Sequence, residues 1–308
     1  MGVHNFVLGL TALIGYAFFV ACTTTPPNLK NEVAHFWNVE PCGSRYVGAS
    51  LDFEVHSRTR YALEPYIHRF AQFSASQGKR VLEIGVGIGS DYVEWLKAGA
   101  IATGVDLSAQ SIERARFRCQ QSGLVPDLRV ADAEDLPFNQ CTFDILYSYG
   151  VMHHSPDTQH CLNEAWRVLK PGGEVRIMLY HHRSLTGLML WLQFGIWRRQ
   201  SLRRCVYERL ESPGTKTFTK DEVRDLMQNF EHVQIEQVFS PGDLLLHEPS
   251  KRFRAPIHRL AWMLFPRRLV RAFGKRLGLF LLINAKKPSS DEQTSGLHLQ
   301  GSKETAFT

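Results

Sequence analysis

Three short stretches place acids or bare backbone where a nucleoside-like ligand could be held. The first is Glu83-Ile-Gly-Val-Gly-Ile-Gly89, an acid followed by glycines at alternate positions. Glycine permits a tight turn and lets a ligand lie against unshielded backbone. The second is Asp106, seventeen residues beyond Gly89, where a carboxylate can bridge two ribose hydroxyls. The third is Ala131-Asp-Ala-Glu-Asp-Leu-Pro-Phe138. There Asp132 can face an adenine amino group while Ala133 admits the ring. A glycine-rich turn alone is a weak signal, because it also serves dinucleotides and plain bends. The three in this order are a strong one.

Histidines supply the candidate bases, since imidazole titrates near neutrality. His153 and His154 form one pair, His181 and His182 another. Each pair also has a structural reading. His153-His154-Ser155-Pro156 can shape a turn and open the next helix with Pro156 at its first position, and His181-His182 can be exposed loop residues. Tyr147, Tyr149 and Tyr180 can pack as well as act. The six cysteines stand singly with no C-x-x-C pair, so no metal site is expected. Scattered free thiols fit a reducing compartment.

The elements that must position these residues follow from periodicity and end signals. Short apolar, β-branched runs predict strands at Val81–Ile84, Ala102–Leu107, Leu128–Ala131, Phe143–Tyr149, Glu174–Tyr180, Val233–Phe239 and Leu279–Ala285. Helices are predicted at Asp91–Ala98, from a Ser108 cap to about Gln121, at Asp157–Leu169, and from the Thr219-Lys-Asp-Glu222 capping box to Phe230. Strands alternating with helices at this spacing predict parallel βαβ units. The expected fold is α/β, a Rossmann-like, doubly wound, mostly parallel seven-stranded sheet. On that fold all three stretches sit at carboxyl ends of neighbouring strands, where ligands bind open α/β sheets.

The segments VLEIGVGIGS, GVDLS, ADAEDLPF, FDILYSYGVMHH and RVLKPGGEV resemble the successive motifs of class I S-adenosylmethionine-dependent methyltransferases. The resemblance is to the type 11 domain that includes ubiquinone/menaquinone C-methyltransferases, and it covers about residues 80–180. It implies a methyltransferase with S-adenosylmethionine as cofactor. Glu83, Gly85, Gly87 and Gly89 would line the methionine part, Asp106 would hold the ribose, and Leu107 would lie against the adenine. Asp132 and Ala133 would contact the adenine, and Tyr149 would lie near the sulfonium. The quinone C-methyltransferases carry an Arg-Asn dipeptide where this chain has His153-His154, so the resemblance does not carry over their substrate. Methyl transfer from a sulfonium is an in-line displacement in which holding the reactants in place is the main contribution. A base is needed only where the nucleophile must lose a proton; His153, His154 and His181 are the candidates.

Two rival readings are weighed against this one. A nicotinamide dehydrogenase would space its glycines G-x-G-x-x-G, whereas here they run G-x-G-x-G, and the Asp132–Phe138 element has no part in hydride transfer. A binding module that keeps the fold without turnover is opposed by the intact Glu83, Asp106 and Asp132.

The rest of the chain frames this domain. With 308 residues, 44% hydrophobic and 21% charged, it has an ordinary globular composition, unlike a disordered or polytopic membrane protein. Phe6–Cys22 is almost wholly apolar and just long enough to cross a bilayer. It leaves open a membrane anchor of a cytoplasmic enzyme, a cleaved signal, or a misplaced start. Residues 31–77 read as a helical cover, 78–286 as the main domain, and 287–308 as a disordered tail. Insertions are expected at 185–210 and 244–276. Within the second, Lys251–Arg276 holds nine Lys or Arg and no acid. Apolar runs interleaved with basic residues suit a hydrophobic or lipid-like acceptor, or a membrane surface, better than nucleic acid.

Overall fold

The computed structural model describes residues 29–39, 52–212, 214–246, 263–272 and 275–289. Phe6–Cys22, most of Lys251–Arg276 and nearly all of the tail lie outside the described residues. No helix among the described residues is long and apolar enough to cross a membrane.

Seven strands, β1 (Arg80–Ile84), β2 (Ile101–Asp106), β3 (Asp127–Val130), β4 (Phe143–Tyr149), β5 (Leu169–Tyr180), β6 (Glu231–Val238) and β7 (Phe280–Lys286), form one sheet. Its order is β3-β2-β1-β4-β5-β7-β6. The pairs from β3 to β5 are parallel, and β7 runs antiparallel to both neighbours. The fold is thus the Rossmann-like α/β sheet that the strand pattern predicts.

The period-2 alternation of the strands sorts their side chains onto two faces. Val81, Ile145, Tyr147, Met178 and Leu282 point into one core layer. Leu82, Leu146, Ile177 and Leu281 point into the other. The first layer is covered by helices Ser90–Lys97 and Ala109–Gln121, through Tyr92, Trp95, Ile112 and Ala115. The second is covered by Thr158–Val168 and Lys220–Leu226, through Cys161, Leu162, Ala165 and Val223. At roughly 25 cal/mol per Å² of apolar surface removed from water, these layers supply the main drive for folding.

In chain order the helices are α1 (Leu29–Val39), α2 (Phe53–Leu63), α3 (Ile67–Ala71), α4 (Ser90–Lys97), α5 (Ala109–Gln121), α6 (Thr158–Val168), α7 (Leu185–Leu190), α8 (Leu202–Arg209), α9 (Lys220–Leu226) and α10 (Arg267–Ala272). Ser108 caps α5, its hydroxyl accepting from the Ser111 amide at 3.1 Å. Thr219 and Glu222 form the predicted capping box. Two end signals read differently in three dimensions. Pro156 does not take the first position of α6: Asp157 caps the helix, accepting from the His160 amide, so Pro156 precedes it. The α9 helix stops at Leu226 instead of Phe230, because the chain turns there to reach β6.

Candidate functional site

A cavity of about 340 Å³ opens at the carboxyl ends of β1, β2 and β4. Its floor is the glycine turn, where Gly85 and Gly87 adopt positive φ of 80° and 53°, a region open to glycine without strain. The turn is fixed from β2. Gly85 donates to the Val105 carbonyl at 2.7 Å, and Gly87 donates to Asp106 Oδ2 at 2.9 Å. Asp106 Oδ1 accepts from the Ser108 amide at 2.8 Å. Asp106 therefore joins the tip of β2 to the turn after β1, and burial raises its carboxyl while these two amides pull it back down.

Of the nine positions expected to hold a cofactor, eight line this cavity: Glu83, Gly85, Gly87, Asp106, Leu107, Asp132, Ala133 and Tyr149. Gly89 does not. A Cβ there would lie 3.0 Å from the Ala115 Cβ and 3.1 Å from its Cα, so Gly89 lets α4 start against α5. Gly85 also has a packing reason, since an added Cβ would fall 2.1 Å from Val151 Cγ2.

A buried charge cluster stands behind the turn. Arg60 of α2 donates to Asp91 through Nε at 3.1 Å and Nη2 at 2.7 Å. The Tyr61 and Tyr147 hydroxyls donate to the same carboxylate at 3.1 and 2.8 Å. Burial alone would raise Asp91; Arg60 and the two tyrosines instead hold it below the ordinary carboxylate range. Glu83, at the end of β1, is only 3% exposed, and its Oε2 has no hydrogen-bond partner. Burial, then the Asp91 charge, push its carboxyl well above the usual value, and Arg60 offsets only part of this. Burial likewise lifts the cavity-lining Glu64 to about 7, with Arg60 opposing.

The histidine candidates separate. His154 lines the cavity, its Nδ1 lying 2.8 Å from Ser212 Oγ and 3.1 Å from Thr215 Oγ1. Its Nε2 lies 3.5 Å from the Glu211 carboxylate. His153 is fully buried behind it, against the Tyr180 ring at 3.9 Å between centroids. Burial holds its imidazole well below the usual range, so it is neutral. His181 lies away from the cavity, with Nδ1 3.0 Å from the Arg183 carbonyl and 2.8 Å from Gln237 Nε2. His181 is therefore a packed residue at the β6 edge and no base for this site. His153 is excluded as a solvent-facing base by the same test of access.

Sequence reasoning missed several lining residues. Arg60 and Glu64 come from the helical cover, Asp91 from the first turn of α4, and Glu211 from the segment after α8. Lys30 of α1 donates to Asp132 Oδ2 and Glu134 Oε2, both at 2.6 Å. Nothing in their local sequence marks them, because their partners are remote in the chain.

Comparison with known proteins decides the family. A family model described as a methyltransferase domain matches residues 82–177. The ubiquinone biosynthesis O-methyltransferase of Methylococcus capsulatus is 32% identical over 164 residues, 53% of this chain and 68% of that protein. The chain belongs to the S-adenosylmethionine-dependent methyltransferases. The 27-O-demethylrifamycin SV methyltransferase of Amycolatopsis mediterranei is 35% identical over 105 residues, 32% of this chain and 38% of that protein. The first curated relatives are matched over only 38%, 40% and 41% of their own length. Among solved structures, phosphoethanolamine N-methyltransferase 2 of Haemonchus contortus, in complex with S-adenosyl-L-methionine, shares the fold with a TM-score of 0.53 at 19% identity. That match covers 84% of this chain and 57% of that one. In this chain the family's motifs supply the cavity floor, and α1, α2 and the segment after α8 supply its walls.

Proposed function

We propose that the protein binds S-adenosylmethionine in this cavity and transfers its methyl group to a small hydrophobic or amphipathic acceptor. The observation that carries the reading is the convergence of Glu83, the Gly85–Gly87 backbone, Asp106 and Asp132 on one cavity at the strand tips. The residues fit the cofactor chemically. The unpartnered Oε2 of Glu83 suits an ammonium group, whose charge would return the buried carboxyl toward ionisation. Asp106, already accepting two amide protons, keeps lone pairs for ribose hydroxyls. Leu107 and Ala133 offer apolar contact and space beside a purine.

When bound, the cofactor supplies an electrophilic sulfonium methyl. The chain's own residues then position the acceptor and exclude water. The wall away from the glycine turn includes Val33, Trp37, Leu63, Leu210, Leu279 and Phe280, with Glu64 and Glu211 among them. An oily wall with a few acids suits an amphipathic acceptor. His154 is the one imidazole of the three candidates placed to take a proton from an acceptor hydroxyl or amine.

Outside the cavity, exposed Leu192, Ile196 and Trp197 stand beside Arg198 and Arg199 on the first insertion. This oily, basic strip suits an acceptor presented at an anionic lipid surface. Cosedimentation with anionic liposomes tests that part; a protein left wholly in the supernatant would remove it.

Calorimetry with S-adenosylhomocysteine tests the cofactor, and absence of binding would sink the reading. Transfer of a labelled methyl group into a cell extract, with the product identified by mass spectrometry, tests turnover. Binding without transfer would leave a non-catalytic module.

A further inference from the structure

We propose that His153, His154 and Glu211 form a binding site for a divalent transition-metal ion, of the Zn²⁺ class, at the acceptor end of the cavity. The three residues offer one donor atom each, and these atoms lie within 4.8 Å of one another. Nothing local in the chain announces such a site, since the third ligand is remote from the histidine pair and no cysteine takes part.

The hydrogen-bond network fixes which nitrogen of His154 is available. The Thr215 hydroxyl has a single proton, and it is donated to the Ser212 carbonyl at 2.8 Å. Its oxygen lies 3.1 Å from His154 Nδ1, and Ser212 Oγ lies 2.8 Å from the same nitrogen, so two hydroxyls engage Nδ1 and Nε2 is the ring nitrogen left to a ligand. Nε2 has no hydrogen-bond partner and lies 3.5 Å from the Glu211 carboxylate. His153 adds a third donor. It is fully buried, and neither ring nitrogen has a hydrogen-bond partner, a costly arrangement for an imidazole unless a ligand completes it.

The surroundings are those of a metal site. Metal-ligating histidines commonly have the other ring nitrogen held by an oxygen partner, as Ser212 Oγ and Thr215 Oγ1 hold His154 Nδ1 here. Tyr180 donates to Glu211 Oε2 at 2.8 Å, which orients the carboxylate. Two imidazoles and one carboxylate suit Zn²⁺ or a neighbouring first-row ion rather than Mg²⁺. Donor–metal distances of about 2.0–2.2 Å require the donor atoms to draw together from their present spacing. Three protein ligands leave a coordination position open. Its use, orienting and acidifying an acceptor oxygen in place of proton uptake by His154, whose Nε2 the ion would occupy, rests on the methyltransferase reading; the ion site itself does not.

The test uses the full chain, stripped with a chelator, and Zn²⁺ alone as the probe. One equivalent is expected to bind, and Glu211→Gln and His154→Gln are each expected to weaken binding at least about tenfold. Co²⁺ added to the stripped wild type is expected to give visible d–d absorption that one equivalent of Zn²⁺ removes, a readout that needs no variant to fold. Absence of stoichiometric binding to the wild type, or binding indifferent to both substitutions, overturns the site. So does a metal-free protein in which Glu211→Gln merely shifts the pH profile of methyl transfer, since His154 and Glu211 would then be a proton relay. Calorimetry with S-adenosylhomocysteine on the same sample separates the two claims. Homocysteine-analogue binding without Zn²⁺ removes only the metal site, and Zn²⁺ binding without the analogue removes only the proposed function.

Discussion

Arg60 and Asp91 meet behind the glycine turn through two hydrogen bonds, of 3.1 and 2.7 Å, in a position where Asp91 is 4% exposed. The pair ties α2 to α4, so α2 is part of the framework behind the glycine turn. Arg60→Met leaves the Asp91 carboxylate buried with only tyrosine donors. Breaking a buried pair on one side costs about 3–5 kcal/mol, so chemical denaturation should show a loss of that order. Asp91 is held below its ordinary value in the folded state, so its contribution is present above the unfolded carboxylate range and fades as pH falls through the folded value. The loss caused by Arg60→Met should accordingly be largest near neutrality and shrink in acid; a loss independent of pH would contradict the assignment.

Asp106 is expected to matter for the cofactor more than for the fold. Its carboxylate takes the Gly87 and Ser108 amides and in the proposed complex would also take ribose hydroxyls. Asp106→Ala removes a charged acceptor from buried donors, worth about 1.5–3 kcal/mol. Calorimetry should show S-adenosylhomocysteine binding weakened at least about tenfold, with near-ultraviolet circular dichroism still native. Affinity equal to the wild type would dismiss the ribose role.

Much of this architecture is legible in the sequence, and what is not has a common cause. The strands can be located because alternation such as Val81-Leu82 and Leu281-Leu282 is local and reports which face is buried. Ser108 and Thr219 can be read as caps because their partners lie three residues away. Gly89 resembles its neighbours Gly85 and Gly87 in the sequence, yet its reason is Ala115 on another helix. Lys30 reaches Asp132 across 102 residues, and Ser212 reaches His154 across 58. No local pattern encodes such pairs. His153, His154 and His181 are equal as residue types and become different only through burial and access.

Gly85 and Val151 provide a packing test of the glycine turn. Gly85→Ala puts a Cβ 2.1 Å from Val151 Cγ2 and a side chain at φ 80°. The clash and the strain together should cost about 2–4 kcal/mol. Adding Val151→Ala should recover the part due to the clash and leave the backbone strain of about 1–2 kcal/mol. Thermal unfolding of the two variants checks this; no recovery in the double variant would show that strain alone accounts for the loss.

Lys30 competes with any ligand group for Asp132. Its ammonium sits 2.6 Å from both Asp132 and Glu134, but the lysine and Asp132 side chains are 38% and 29% exposed, so the contact is worth at most about 1 kcal/mol. Lys30→Ala should therefore tighten S-adenosylhomocysteine binding by up to about fivefold at low salt. The gain should shrink at high salt, where exposed ion pairs are screened. Weaker binding in the variant would mean that Lys30 supports the ligand instead of contesting its partner.

Glu64 yields a prediction of the opposite pH sign to Asp91. Burial lifts its carboxyl to about 7 in the folded protein, Arg60 notwithstanding, against about 4.3 in an unfolded chain. The folded state thus binds this proton more tightly than the unfolded state. Stability from that preference is fully present below the unfolded value and is lost as pH rises toward 7. Glutamine imitates the protonated form, so Glu64→Gln should match the wild type near pH ~4 and become the more stable protein by pH ~8. The gap should reach a few kcal/mol, since each tenfold difference in proton affinity between the two states is worth about 1.4 kcal/mol. Urea unfolding across that range, with S-adenosylhomocysteine absent, measures the difference directly. If the wild type instead gained on the variant as pH rose, the ionised carboxylate would be the form the fold prefers, with Arg60 outweighing burial.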